Sequence, residues 1–285
     1  MLEYHHLKIK YQKQKNNMEN NLSLSVILPL KSALAKDFDI YFDRAIKSIV
    51  SSTVKPKELI IVHTQEENLK TFLSDYDFSG LTVNKYEYVG EANYSSQVNL
   101  GVSKSNEEWV SFFEFDDEYS PIWFSNVKKY ATYYPEVKGF LPVVVDIDEK
   151  SVFAGFTNEA TFAANFTQEI GYLTNEVLLE YQNFQSAGAA FKKSVIEDFG
   201  GFKPSMKLTF IYEFLLRLTY NSASIMTIPK IGYKHMNLRE GSIFWNYKNG
   251  TDKMLEDEVK FWIETAKKEH FFVTDRSIKY EPQTT

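Results

Sequence analysis

The 285-residue sequence contains no cysteine, which excludes disulfides and thiolate metal sites and fits a reducing, cytoplasmic compartment. No run approaches the ~20 apolar residues that a membrane-spanning helix needs, so no integral membrane segment is expected. Basic residues are not in excess. The 32 Lys and Arg against 38 Asp and Glu leave a net charge of -6, which argues against a nucleic-acid partner. Internal repeats and low-complexity runs are absent too. The stretch Leu30-Lys-Ser-Ala-Leu-Ala35 after the first apolar run has no glycine, which counts against a phosphate-cradling loop and the nucleotidyltransferase chemistry that would use one.

What remains is a globular composition, 44% hydrophobic, in a chain long enough to bury a large core without staples. The length suits one large α/β domain, or a nucleotide-binding half joined to a smaller acceptor-binding half. Aromatics are abundant, with 23 Phe and 18 Tyr. They read either as a bulky core or as ring faces for the C–H side of a sugar. Residues 1–22 form a polar leader with Lys8, Lys10, Lys13 and Lys15. No apolar run follows them, so a signal peptide is not expected. A disordered leader and an arm for anionic membranes both stay open, and His5 and His6 within it need no function.

Residues 24–30 are an apolar run ended by Pro29 and read as a buried strand. Residues 40–50 put Phe42, Ile46, Ile49 and Val50 on one helical face, and residues 58–63 read as a second buried strand. Strand, helix, strand with short connections is the signature of a βαβ unit in a parallel sheet. The pattern continues with a strand over 81–89, a helix over 94–104 and a strand over 109–115. A helix capped by Ser120 over 121–133 and a strand over 139–145 follow, the latter bulged or at an edge because of Pro142. Residues 151–187 show no clean period. Helices are expected over 192–199, 207–220 and 251–268, with short strands over 225–228 and 231–235.

The informative string is Phe113-Glu114-Phe115-Asp116-Asp117-Glu118, which places carboxylates at a strand's carboxyl end, where open α/β sheets bind ligands. Alternation turns Glu114 and Asp116 to one face and the phenylalanines to the core. Such crowded carboxylates call for a hard divalent counter-ion, Mn²⁺ or Mg²⁺, which in turn can hold a diphosphate. A solvated acidic turn before a helix is the alternative.

In order and spacing, Ser25 to Pro29, Glu58 to Val62, Asn99-Leu-Gly101 and Glu114-Phe-Asp116-Asp117 with Pro121 resemble the family 2 glycosyltransferases with the GT-A fold, over about residues 23–245. The resemblance implies an α/β fold, Rossmann-like, with a mixed, mostly parallel central sheet flanked by helices. It also implies a nucleotide-sugar-binding half over 23–148, and an acceptor-binding half over 149–285 with a C-terminal helix. The activity implied is metal-dependent sugar transfer from a nucleotide-diphosphate donor, a UDP-sugar first, to a glycan or other hydroxyl acceptor with inversion. On the donor it puts Pro29, His63, Asn99, Glu114, Asp116 and Arg239, and on the metal Asp116, Asp117 and His235. It makes Glu213 the candidate catalytic base, with an i,i+4 salt bridge to Arg217 as the equal alternative. Two departures stand out. Glu114 replaces an aspartate, and His63-Thr64 replace an acidic pair that reads the nucleotide. The family's Glu-Asp slot before the arginine falls on Phe210 and Ile211. These losses keep open a catalytically degenerate binding or scaffold protein.

Overall fold

The structure is a computed structural model that describes residues 21–91, 93–164 and 171–276. Of the expected leader, residues 1–20 lie outside the described residues, and Asn21 and Leu22 already belong to the first strand. The strands are β1 (Asn21–Leu30), β2 (Lys55–His63), β3 (Val83–Glu87), β4 (Trp109–Phe112), β5 (Glu118–Tyr119), β6 (Gly139–Ile147), β7 (Phe153–Thr157), β8 (Tyr172–Leu173), β9 (Ala190–Lys192) and β10 (Ile225–Met236). They form one sheet in the order β3-β2-β1-β4-β9-β6-β10-β5, with β7 on β6 and β8 on β10. The ladders β3-β2-β1-β4 and β6-β10 are parallel, and the other strand pairings are antiparallel. Strands from both expected halves share this sheet. Among the described residues no helix is long and apolar enough to cross a membrane.

Alternation explains the two cores. Leu24, Val26, Leu28 and Leu30 of β1 face one side, with Leu59 and Ile61 of β2; Ile27, Ile60 and Val62 face the other. The first side is covered by α1 (Phe38–Val50), α2 (Glu67–Asp75) and α4 (Trp123–Tyr133), the second by α3 (Tyr94–Lys104), α8 (Phe210–Tyr220) and α10 (Glu256–Glu269). The remaining helices are α5 (Ala160–Ala163), α6 (Asn175–Glu180), α7 (Lys193–Phe199) and α9 (Ile243–Asn249). Ser25, polar on an otherwise apolar strand, is satisfied by Glu58 at 2.7 Å and Ser105 at 2.6 Å. Two positions of the recognised pattern thus serve the sheet itself.

Several boundaries differ from the sequence expectation for physical reasons. The strand expected over 109–115 ends at Phe112, because the chain turns away to pair β5 with β10. Tyr119 anchors that turn, its ring stacked on Phe113 at 4.6 Å and its hydroxyl 2.8 Å from Ser111. Ser120 does not cap α4: its N–H still bonds Gly232, and the helix begins at Trp123. Pro142 is not at an edge; it sits opposite Ile228, where β10 shifts register. The two expected strands around Pro229 are therefore one. The helix expected over 251–268 is α10, which starts later, at Glu256, where Glu258 accepts from the Leu255 N–H at 2.8 Å; α9, capped by Ser242, is a further short helix before it that the sequence pattern does not announce.

His270 ends α10 with 2% of its surface exposed, against Phe271 and Tyr220. Burial lowers its pKa below the ordinary histidine value, opposed by the nearby backbone of the last helical turn and by the Glu213 charge. The unfolded chain therefore takes up this proton first as pH falls. The stability tied to neutral His270 is complete above about pH 6.5 and is lost as the pH drops below it. His270→Phe should lose less of its urea midpoint between pH 7.5 and 5.5 than the wild type does; an equal loss would contradict this.

Candidate active site

At the carboxyl ends of β1, β4 and β10 the chain leaves a cleft of about 660 Å³. Pro29 and Lys31 form one wall, Glu114 and Asp116 the floor, and Arg239 with Trp245 the far wall. Gln97 braces the first wall by donating to the carbonyls of Leu30 and Val62 at 2.8 and 3.0 Å, pinning the ends of β1 and β2 together. Tyr94, the first residue of α3, closes the cleft beside Glu114. The floor is held open by Gly188, whose φ is +69° and where an added Cβ would stand 2.3 Å from the Tyr233 ring. The Tyr233 hydroxyl in turn accepts from the Glu114 N–H at 3.3 Å.

The three carboxylates after β4 have separate partners. Asp116 takes a hydrogen bond from Arg239 Nε at 2.6 Å, and the guanidinium lies 4.8 Å from the Phe115 ring centre. Asp117 accepts from the Met236 N–H through Oδ1 at 2.7 Å, while its Oδ2 is buried without a hydrogen-bond partner among the described residues. Glu114, Asp117 and His235 bring three ligand atoms within 4.8 Å of one another. Asp116, expected on a metal, is thus drawn away by Arg239, and Glu114 stands in its place. His235 Nδ1 is 2.8 Å from Asp146, which also accepts from Thr157 at 2.6 Å. That chain fixes the ring and leaves Nε2 as the nitrogen for a ligand.

Electrostatics follow from this crowding. Burial, then the Asp116 charge, pushes Glu114 up to about 7, and burial raises Asp117 well above the usual carboxylate range. Burial alone would lower His235, but the Asp117 charge, the Asp146 bond and the Glu114 charge prevail and raise it to about 10. Protonated His235 thus acts as counter-charge to the two acids. The orphaned Asp117 oxygen and the two-oxygen, one-nitrogen donor set fit a divalent cation of the Mn²⁺ or Mg²⁺ kind.

Solved structures share this architecture. Residues 1–349 of S. aureus TarS in complex with UDP-GlcNAc match 86% of this chain with a TM-score of 0.63 at 15% identity, and this chain spans 65% of that one. The same TarS fragment in complex with UDP matches 88% of this chain with a TM-score of 0.59 at 14% identity, over 72% of that chain. The fold is of the GT-A type. At such identities the likeness is one of fold. No protein-family model matches the sequence, and no curated protein sequence matches it.

Within the GT-A frame the sequence-expected residues divide. Pro29, Glu114, Asp116 and Arg239 line the cleft, and Asp117 and His235 join Glu114 just behind it. Asn99 does not reach it. Its amide donates to the Phe202 carbonyl at 2.7 Å and accepts from the Phe202 N–H at 3.0 Å, docking α3 onto Gly201, where a Cβ would collide with it. Asn99→Ala should lower stability by roughly 1–3 kcal/mol, the cost of orphaned buried groups, and leave nucleotide affinity unchanged in a titration. His63 also turns aside, its Nδ1 2.8 Å from the Thr64 carbonyl, and it is not on the cleft wall. Glu213 is the largest correction. It is wholly buried, held by Arg217 through both oxygens at 2.9 Å and by Lys203 at 3.0 Å, so it cannot meet an acceptor hydroxyl. Sequence reasoning missed Tyr94, Gln97 and Asp146. Asp146 was findable, because it lies near the carboxyl end of β6 as Asp116 does after β4.

Proposed function

We propose that this chain is a metal-dependent glycosyltransferase that takes a sugar from a nucleotide-diphosphate donor, a UDP-sugar first, and delivers it to a hydroxyl acceptor with inversion. The observation that carries this reading is the cleft at the strand ends with Glu114 on its wall and Asp117 and His235 within ligand distance behind it, an Asp117 oxygen there having no hydrogen-bond partner among the described residues. The TarS complexes with UDP-GlcNAc and UDP support a uridine nucleotide.

In this reading Pro29, Lys31 and Tyr94 receive the nucleotide, and Arg239 leaves Asp116 to grip the diphosphate through its forked donors. Glu114, Asp117 and His235 would hold Mn²⁺ or Mg²⁺, which when bound supplies charge neutralisation for the diphosphate. Asp146 and Thr157 hold the His235 ring in the orientation that presents Nε2. Inversion asks for a carboxylate near the acceptor hydroxyl; with Glu213 buried, Asp146 is the carboxylate on the wall of the pocket beyond His235.

A binding protein without turnover is the second reading, favoured by Phe210 and Ile211 in the acidic slot. The test is release of nucleoside diphosphate from a panel of uridine, guanosine and cytidine sugars with Mn²⁺. Release from a uridine donor, lost on chelation, is the expected result. Tight binding with no release supports the second reading, and neither binding nor release removes both.

A further inference from the structure

Beyond His235, on the side away from the donor cleft, lies a second pocket of about 390 Å³. Its wall is rich in amides and hydroxyls, among them Gln182, Asn183, Gln185, Asn237 and Thr209, and Phe244 adds a ring. Neither lysine nor arginine is on it among the described residues, and its one carboxylate is Asp146. The adjoining donor cleft is different: Lys31, Lys36 and Arg239 all stand on its wall. Of the two cavities only the donor cleft thus offers an anion a lysine or arginine, beside its own Glu114, Asp116 and Glu240.

His235 does not change this balance. Its Nδ1 is on Asp146, and Glu114 and Asp117 lie within ligand distance on its other side. A phosphate or carboxylate entering the second pocket would find neither lysine nor arginine among the described residues to offset its desolvation, and the charge of His235 is already met by Asp146, Glu114 and Asp117. An uncharged polyol meets amide groups that both donate and accept, with a ring face for its C–H side. The Phe244 ring is already held in place, stacked on Phe210 at 6.1 Å with 13° between planes.

Resting on the transferase reading, we propose that this pocket takes the acceptor and that the acceptor is the uncharged end of a saccharide. Phosphorylated polyols and uronic acids are refused. The amides select hydroxyl-rich ligands, Phe244 provides the stacking plate, and a wall without lysine or arginine, its Asp146 and His235 paired with each other, provides the discrimination against anions.

The test uses the full chain with UDP and Mn²⁺, titrated by saturation-transfer NMR with methyl β-glucoside, β-galactoside and β-N-acetylglucosaminide. Each is compared with its 6-phosphate, and the glucoside also with the glucuronide. At least one neutral glycoside should bind about ten-fold or more tighter than its charged counterpart, since an anion that gains no cationic partner bears its full desolvation cost. Phe244→Ala should weaken that binding several-fold, and Asn183→Lys should narrow or reverse the charge preference. The proposal is overturned if a charged counterpart binds as tightly as its parent, or if no glycoside in the panel binds. UDP with Mn²⁺ is titrated separately. Failure of UDP, and of GDP and CDP titrated in its place, removes the transferase reading and leaves the pocket chemistry standing, whereas failure of the glycosides alone removes only the acceptor assignment.

Discussion

Glu213→Leu should lower the stability of the fold by roughly 3–5 kcal/mol, because it strands two buried cations rather than removing a catalytic group. Arg217 and Lys203 are 0% and 2% exposed, and Glu213 meets them at 2.9 and 3.0 Å. Every donor of Arg217 is committed. Nε and one Nη2 hydrogen go to Glu213, and the others go to the carbonyls of Phe199, Gly200 and Gly201. Gly200, at φ +78°, is the residue whose shape brings two of those carbonyls round to the guanidinium. Without the carboxylate, Glu269, 3.4 Å from Lys203, is the remaining counter-charge to two cations. A loss of that size lowers the melting temperature by on the order of 10 °C in a chain of this length. Glu213→Gln should also melt early, since it keeps the shape and loses the charge. A melting temperature within a degree or two of wild type, together with abolished turnover, would instead return Glu213 to the role of base.

Asp117→Asn should remove the metal-dependent part of donor binding and reduce turnover by roughly 10²–10³-fold, equivalent to a few kcal/mol of lost charge stabilisation. Its Oδ1 bond to the Met236 N–H survives in the amide, so the loop keeps its course and the fold keeps its stability. What changes is Oδ2, the buried oxygen with no hydrogen-bond partner among the described residues. Asp116→Asn acts differently. It frees Arg239 from a 2.6 Å ion pair, so nucleotide binding without metal should hold or strengthen, while the three residues behind the cleft stay in place. Calorimetric titration of UDP with and without Mn²⁺ into the two variants separates them. Equal losses of the Mn²⁺-dependent part in both would contradict the division of labour between these adjacent aspartates.

Those two aspartates also mark where the sequence is readable and where it is not. Strands β1, β2 and β4 and helix α3 announce themselves, because a buried parallel strand is a largely apolar run and α3 carries its own capping asparagine, Asn93. The acidic turn is legible for the same local reason, since carboxylates stand where a strand stops. Which carboxylate takes which partner is not local. Arg239 reaches Asp116 across 123 positions, and His235 meets Asp117 and Glu114 only because β10 lies beside β6 and carries β5 on its other edge. The second half is harder still. Ala190–Lys192 is too short to signal a strand, yet it bridges β4 and β6 and makes one sheet of the chain. Glu213 and Arg217, four apart on a helix, carried both meanings in the sequence. Depth decided between them, and depth depends on the Gly200-Gly201 turn and α10 closing over the pair.

The most direct test of the account is anomalous diffraction at the manganese edge from crystals grown with UDP and Mn²⁺. The expected result is one strong peak between Glu114, Asp117 and His235, with the UDP diphosphate beside it and Arg239 turned off Asp116. Bound UDP with no peak among those three side chains, or a peak held by Asp116 without Asp117, would contradict it.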